Sequence, residues 1–304
     1  MTSYNRDGKV GPWAREKLSY LEKYLRAYTT ILRKQKFKGY FYIDGFAGGG
    51  QAPLRSASTA EPGHQNSIFP ELNLQDEPEV AQYIDGSPRV ALQVEPPFTR
   101  YVFIEQNPAR ARALEELKTE FPSRTISIYA ETAQYVIGTR IAGSGLDWKK
   151  YRGIIFLDPF GMQVEWDTIK RIASTQALEV FINFPVGMAI QRKLPRNPKK
   201  LSERDRARLD QYFGSEEWFN IVYKNNQDLF ADESLSKRQD AGEALAEWYQ
   251  ERLRLAFGYG AQPRLVKNHR GSHLYYLLFA SPNASGAKIA KDVLKQGTPP
   301  DTLL

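Results

Sequence analysis

The 304-residue sequence predicts an α/β fold, with a mostly parallel sheet covered by helices on both faces. Three observations carry this expectation. Short apolar runs of strand length recur along the chain: "GYFYID", "RYVFIE", "TISIYAE", "YRGIIFLDP" and "LEVFINFP". Stretches with three- and four-residue apolar spacing alternate with them. Glycine, proline or an acid closes most of the runs, as at a strand that ends in a turn.

Taken in order, residues 12–33 predict a helix, because Leu18, Leu21, Leu25, Tyr28 and Leu32 share one stripe. "GYFYID" follows as the first strand. Residues 51–85 mix proline, serine, glutamine and acids without a period and predict a loop insertion. "GSPRVALQV", from Gly86, predicts a turn into a short helix, with Ser87 as its cap and Pro88 in its first turn. "RYVFIE" is the second strand, and "NPARARALEELKTEF" a helix with Pro108 at its start. "TISIYAE" and "YRGIIFLDP" are the third and fourth strands, residues 165–174 a helix, and "LEVFINFP" the fifth strand. Residues 188–261 change character, basic at first and then helical in "GEALAEWYQERLRLAF". They predict an inserted helical subdomain between the two parts of the main domain, 1–187 and 262–304. "HLYYLLFAS" is a last strand and "SGAKIAKDVLK" a closing helix; His269 and His273 flank a turn and are expected to be structural.

Composition excludes several kinds of chemistry. The chain has no cysteine, which rules out disulfides, thiolate catalysis, zinc–thiolate sites and iron–sulfur ligation by its own residues. Its three histidines form no HExxH-type pair, so no metal is expected. No apolar run reaches the ~18 residues of a membrane span, and the polar start reads as no secretory signal. A cytoplasmic protein without membrane contact is the expectation. The net charge of +7 is concentrated in two places. Residues 14–39 are rich in lysine and arginine, and residues 189–208 carry Arg192, Lys193, Arg196, Lys199 and Lys200 among others. Clusters of this kind suit a nucleic acid, DNA or RNA; they also suit solvated helix faces.

Four motifs sit where strands end. In "FYIDGFAGGG" an acid, Asp44, precedes Gly45, Phe46, Ala47, Gly48 and Gly50. Glycine lets a backbone approach a ligand closely and tolerates positive φ, and in open α/β sheets ligands lie at the carboxyl ends of strands. The loop is not a P-loop, since no GxxxxGK[ST] is present, and a purely structural turn uses glycine too. In "YVFIEQNP", Glu105, followed by Gln106, ends the second strand, where a carboxylate can accept hydrogen bonds from both hydroxyls of a ribose; an acid at a helix N-terminus is the other reading. In "AETAQYVI", Glu131, Thr132 and Ala133 fall where a polar side chain and backbone amides can read an adenine edge, or at a plain strand–helix turn. In "IIFLDPFG", Asp158, Pro159 and Phe160 follow a strongly apolar strand, placed to face a substrate or to form a β-turn. Asn183 and Pro185 end the fifth strand, where they either border the substrate pocket or simply terminate the strand.

Together these residues resemble the class I S-adenosyl-L-methionine-dependent methyltransferases. The resemblance implies a Rossmann-like sheet whose C-terminal strand is antiparallel. It implies a glycine loop (Asp44, Gly45, Phe46, Ala47, Gly48, Gly50) around the methionine part of the cofactor, Glu105 and Gln106 at the ribose, and Glu131 and Thr132 by the adenine. Asp158, Pro159 and Phe160 then stand where amino-methyltransferases carry Asp-Pro-Pro-Tyr, a motif that holds the target amine. Phe160 replaces the second proline and Gly161 the aromatic residue. The longer pattern, from about Trp13 to Pro185 and again at "YYLLFAS", looks closer to the three-Cys-motif partner (TcmP) proteins. A looser likeness links it to ribosomal RNA adenine-N6 methyltransferases. The family name implies a separate three-cysteine protein, similar to radical-SAM enzymes, as partner. Three functions follow as expectations: methylation of a nucleic acid base amine, with Arg192, Lys193, Arg196, Lys199 and Lys200 on phosphates; a cofactor-fold module that serves the three-cysteine protein; or a metal-dependent nuclease using Asp44, Glu105 and Asp158.

Overall fold

The computed structural model describes residues 13–53, 83–225, 235–267 and 271–295. Its centre is an eight-stranded sheet. The strands are β1 (Gly39–Asp44), β2 (Arg100–Ile104), β3 (Ile126–Tyr129), β4 (Tyr151–Leu157), β5 (Leu178–Phe184), β6 (Tyr259–Gly260), β7 (Arg264–Lys267) and β8 (His273–Ser281). Across the sheet the order runs β3-β2-β1-β4-β5-β8, with β6 and β7 both on the outer edge of β8. The first five strands are mutually parallel, and β8 runs antiparallel to β5. This is the expected α/β class, with the expected antiparallel C-terminal strand. β6 and β7 are short edge strands that the pattern did not announce.

The eight helices named here are α1 (Trp13–Leu32), α2 (Ser87–Leu92), α3 (Pro108–Glu120), α4 (Trp166–Ser174), α5 (Glu203–Phe213), α6 (Trp218–Val222), α7 (Ala241–Phe257) and α8 (Ala284–Val293). They divide between the two faces because strand side chains alternate. On β4, Ile154 and Phe156 join one core with α1, α2, α3 and α8, whereas Ile155 and Leu157 join another with α4, α5, α6 and α7. The α1 stripe packs its Tyr24 ring 4.8 Å from Phe279 of β8. On the other face, Phe184 of β5 stacks 4.9 Å from Tyr249 of α7, and Arg252 lies over Trp166 and Trp248. The helices of the 188–261 segment thus bury their apolar sides in the same core as strands β4, β5 and β8.

The base of the 51–85 segment is a two-stranded antiparallel ribbon, Gln51–Pro53 with Tyr83–Asp85; residues 54–82 lie outside the described residues, as does His269. Gly50 carbonyl accepts from Gly86 N–H at 2.9 Å and closes that base. α2 departs from expectation at its cap: the N-cap is Gly86 and no side chain caps it, because the Ser87 hydroxyl bonds the Asp44 carboxylate instead. Asn107 caps α3 as a helix with proline in its first turn requires, accepting from Ala109 and Arg110 N–H.

Glu179 is buried on β5, on the α1 side. Tyr24 hydroxyl donates to it, as do Ser281 Oγ at 2.8 Å and Asn283 Nδ2 at 2.9 Å. Loss of hydration nevertheless pushes its carboxyl up to about 7, and that of Asp44 up to about 6. Raised folded values mean that the native state holds protons the unfolded chain has released, so stability falls as pH rises from about 4.5 to 7. Urea denaturation at pH 5.5 and pH 8 is expected to show this decline. Glu179→Gln should flatten it by on the order of 2–3 kcal/mol, since Gln keeps the acceptor and cannot ionise.

Candidate functional site

The strand order reverses between β1 and β4: the chain runs outward through β2 and β3 on one side and through β5 on the other. Loops leaving the carboxyl ends of such a pair diverge and open a crevice. Asp44 ends β1 on one side of it and Asp158 follows β4 on the other.

Asp44 is fully buried beneath the loop it introduces. Phe46 N–H donates to Oδ1 at 3.1 Å, Tyr42 hydroxyl to Oδ2 at 3.0 Å, and Ser87 adds a third bond. Gly45 N–H goes to Phe156 carbonyl at 2.9 Å and Ala47 N–H to Ile104 carbonyl at 3.0 Å, which ties the loop to β4 and β2. A Cβ on Gly45 would stand 2.7 Å from Leu157 Cδ2, so a side chain there displaces Leu157. Gly48 and Gly50 have φ of +63° and +84°, values that other residues rarely adopt.

Against this loop lies a cavity of about 430 Å³. Of the expected residues it unites Gly45, Phe46, Glu105, Gln106, Glu131 and Phe160. Arg110, Asn107 and Gln163 complete its polar lining. Glu105 Oε1 accepts from Asn107 N–H at 2.7 Å and Arg110 Nη2 at 2.9 Å; Oε2 takes neither bond. Glu131 pairs with Arg140 at 2.7 Å. Phe160 is 66 % exposed, its N–H bonded to Gln163 Oε1 at 2.9 Å, so the ring stands free at the rim. The remaining loop residues lie off this cavity. Asp44 is below it, Ala47 is buried, Gly48 does not line it, and Gly50 backs onto Leu114 and Leu117 of α3. Thr132 caps the next helical stretch, accepting from Tyr135 N–H.

Asp158 does not line the cavity either. Its carboxylate turns to the α1 side, where Lys17 Nζ pairs with Oδ2 and Asn183 Nδ2 donates to Oδ1 at 2.5 Å. Lys17 Nζ also lies 5.8 Å from the Tyr275 ring. Asn183 Oδ1 is buried with no hydrogen-bond partner among the described residues. Pro159 is buried between Asp158 and the exposed Phe160. Lys17 is a residue that sequence reasoning missed, yet its signal was present. It falls on the stripe of Leu21, Tyr24 and Tyr28, and a lysine on a buried stripe needs an acid opposite.

The basic residues start beside this loop. After Pro185 the chain makes wide i→i+5 turns over Val186–Ile190, where Ala189 lies 3.8 Å from the Cβ position of Gly161. Arg192, Lys193, Arg196, Lys199 and Lys200 follow, all exposed. Lys193 is partly committed, paired with Asp205 at 2.7 Å, an ion pair that lowers the Asp205 carboxyl. Among the described residues no three potential metal-ligating side chains gather. Asp44, Glu105 and Asp158 each face a separate set of protein donors, which argues against the metal-dependent nuclease.

No protein-family model matches the chain, and no curated protein matches it. Solved structures similar to it include a protein from Legionella pneumophila described under the family model DUF519, 15% identical with a TM-score of 0.46, covering 96% of this chain and 94% of that one. A putative methyltransferase from Thermobifida fusca is 11% identical with a TM-score of 0.36, covering 89% and 83%. A putative S-adenosylmethionine-dependent methyltransferase from Listeria monocytogenes is 11% identical with a TM-score of 0.35, covering 84% and 97%. Likenesses of this size carry no argument about activity. The fold rests on the strand order itself, with its parallel core, antiparallel β8 and reversal at β1 and β4: a Rossmann-like sheet of the class I methyltransferase type. Among the described residues no helix is long and apolar enough to cross a membrane.

The Lys17–Asp158 pair is largely withdrawn from water, so removing one partner leaves the other charge uncompensated. Lys17→Ala is expected to destabilise the protein by about 1–3 kcal/mol in urea denaturation. The double variant Lys17→Ala/Asp158→Asn should lose less than the sum of its single changes.

Proposed function

We propose that the protein is an S-adenosyl-L-methionine-dependent methyltransferase that acts on an amine of a nucleic acid base. The observation that carries this reading is the cavity at the β1–β4 reversal, where the glycine loop, the Glu105 carboxylate and the Phe160 ring converge. Its volume, near 430 Å³, suits a nucleoside-sized group. Glu105 would hold the ribose hydroxyls, with Arg110 and Asn107 fixing the carboxylate. Gln106 would lie beside Glu105, and Glu131 and Thr132 by the adenine. Gly45 and Phe46 would back the nucleoside, and the backbone of Ala47, Gly48 and Gly50 would carry the turn toward the methionine end, with Asp44 holding it from below. The cofactor supplies an electrophilic methyl group on a positively charged sulfur.

The chain's own residues would do the orienting. Asp158 accepts an N–H of the amine and is itself positioned by Asn183 and Lys17. Pro159 sets the turn that carries the Phe160 ring, which is free to stack on an extruded base. A neutral amine needs no base before it attacks and loses its proton afterwards, so catalysis rests on placement and electrostatics. Arg192, Lys193, Arg196, Lys199 and Lys200 would contact phosphates beside the loop.

A second reading keeps the three-Cys-motif partner resemblance in full: a cofactor-fold module that supports a separate three-cysteine protein. The occupation of Asp158 by Lys17 and the substitution of Phe160-Gly161 in the amine motif favour it.

Calorimetric titration with S-adenosylmethionine tests the cofactor site. Micromolar binding, about −8 kcal/mol, weakened at least tenfold by Glu105→Ala, is expected; a folded protein that gives no heat sinks the methyltransferase reading. Asp158→Ala should keep cofactor affinity and lose methyl incorporation into nucleic acid by about a hundredfold, or ~2.7 kcal/mol. Unchanged function of this variant alongside its partner would favour the module instead. Nucleic acid affinity should fall steeply with salt, and Lys199→Glu/Lys200→Glu should reduce the log–log slope by about 2.

A further inference from the structure

A second cavity, of about 490 Å³, lies on the α4 side of the sheet, over β1, β2 and β3. It takes no part in the site proposed above. Phe41, Ile43 and Val102 line it from β1 and β2, Trp148 from the turn before β4 and Tyr151 from the start of β4. Phe41 lies parallel to Tyr151 with ring centres 5.5 Å apart, and edge-on to Trp148 at 6.2 Å. These rings form a partly exposed aromatic slot rather than a closed core.

Its charged groups point to one kind of occupant. The charged side chains of the lining are Lys38, Arg100 and Arg140, and no carboxylate lines it. Arg140 is committed to Glu131 of the first cavity. Lys38 and Arg100, at the amino ends of β1 and β2, make no ion pair among the described residues. The slot therefore calls for a flat ring against the partly exposed Phe41 and Trp148 rings and a negative group for Lys38 and Arg100.

We infer that this cavity is a second ligand site, which takes a small aromatic anion of the mononucleotide class. A single nucleotide fits better than a strand, because the cavity is on the scale of one small ligand and only two cations without an ion pair line it. The volume is in the range of pockets that bury small ligands. The inference does not depend on the methyltransferase reading.

Calorimetry on the full chain with adenosine monophosphate as probe tests it. One molecule should bind per chain. Adenosine, which lacks the phosphate, should bind at least tenfold more weakly, and so should the monophosphate to Lys38→Glu/Arg100→Glu. Trp148→Ala, which removes the ring, should weaken binding several-fold, while Glu105→Ala in the first cavity leaves it unchanged. The exchanged cations are exposed, and unchanged circular dichroism and melting temperature confirm that the variants fold. Absence of binding overturns the inference. So does binding that is lost in Glu105→Ala but kept in Lys38→Glu/Arg100→Glu, which would place the probe in the first cavity. Inorganic phosphate binding as tightly as the nucleotide would reduce the site to a simple anion site. A short oligonucleotide binding a hundredfold tighter through the same residues would make it a nucleic acid surface instead.

Discussion

Asp44, Asp158 and Glu179 stand on or just beyond three neighbouring strands, all on the sheet face that α1 covers, and each carboxylate is met by donors from distant parts of the chain. α2 sends Ser87 to Asp44. α1 sends Lys17 to Asp158 and, farther along, Tyr24 to Glu179. The end of β8 and the cap of α8 supply Ser281 and Asn283. An apolar stripe binds a helix to a sheet without choosing among nearby registers. A buried carboxylate chooses, because leaving it or its donor unsatisfied costs more than most packing adjustments gain. The helices on this face are therefore held in position by their polar contacts, and the apolar burial supplies the favourable energy.

The candidate site inherits its shape from that constraint. Asp44 lines neither of the two cavities described above, yet its bonds to Phe46 and Ser87 hold the glycine loop and the start of α2 against each other. The loop after β4 then divides its roles between two sides. Asp158 turns under α1, and two residues later the Phe160 ring stands at the mouth of the cavity. A buried proline lies between the acid and the ring.

The opposite face is organised by aromatic packing. Phe184, Tyr212, Phe213, Trp218 and Tyr249 join strands to helices α5, α6 and α7 in one cluster. Because this core is continuous with the sheet, the basic residues from Arg192 to Lys200 emerge next to the loop after β4. Farther along the same face, over β1 to β3, the covering helix gives way to the aromatic slot with its unpaired cations.

The sequence by itself determined the strands and long helices to within a few residues, since period and length report which face of a segment meets water. It also determined the glycine loop, the acids at strand ends and Phe160 as candidates, because their positions follow from where strands stop. Short edge strands such as β7, the ribbon at the base of the insertion and the Gly86 cap of α2 were not legible. Their form depends on a partner strand or on a carboxylate brought from elsewhere. Only the tertiary structure decided that Asp158 faces Lys17, that Glu105 is steadied by Arg110, and that Ser87 bonds Asp44. Each of these is a pairing of a buried charge with its donor, and one strand's pattern carries no information about which distant residue the fold will bring within hydrogen-bonding distance.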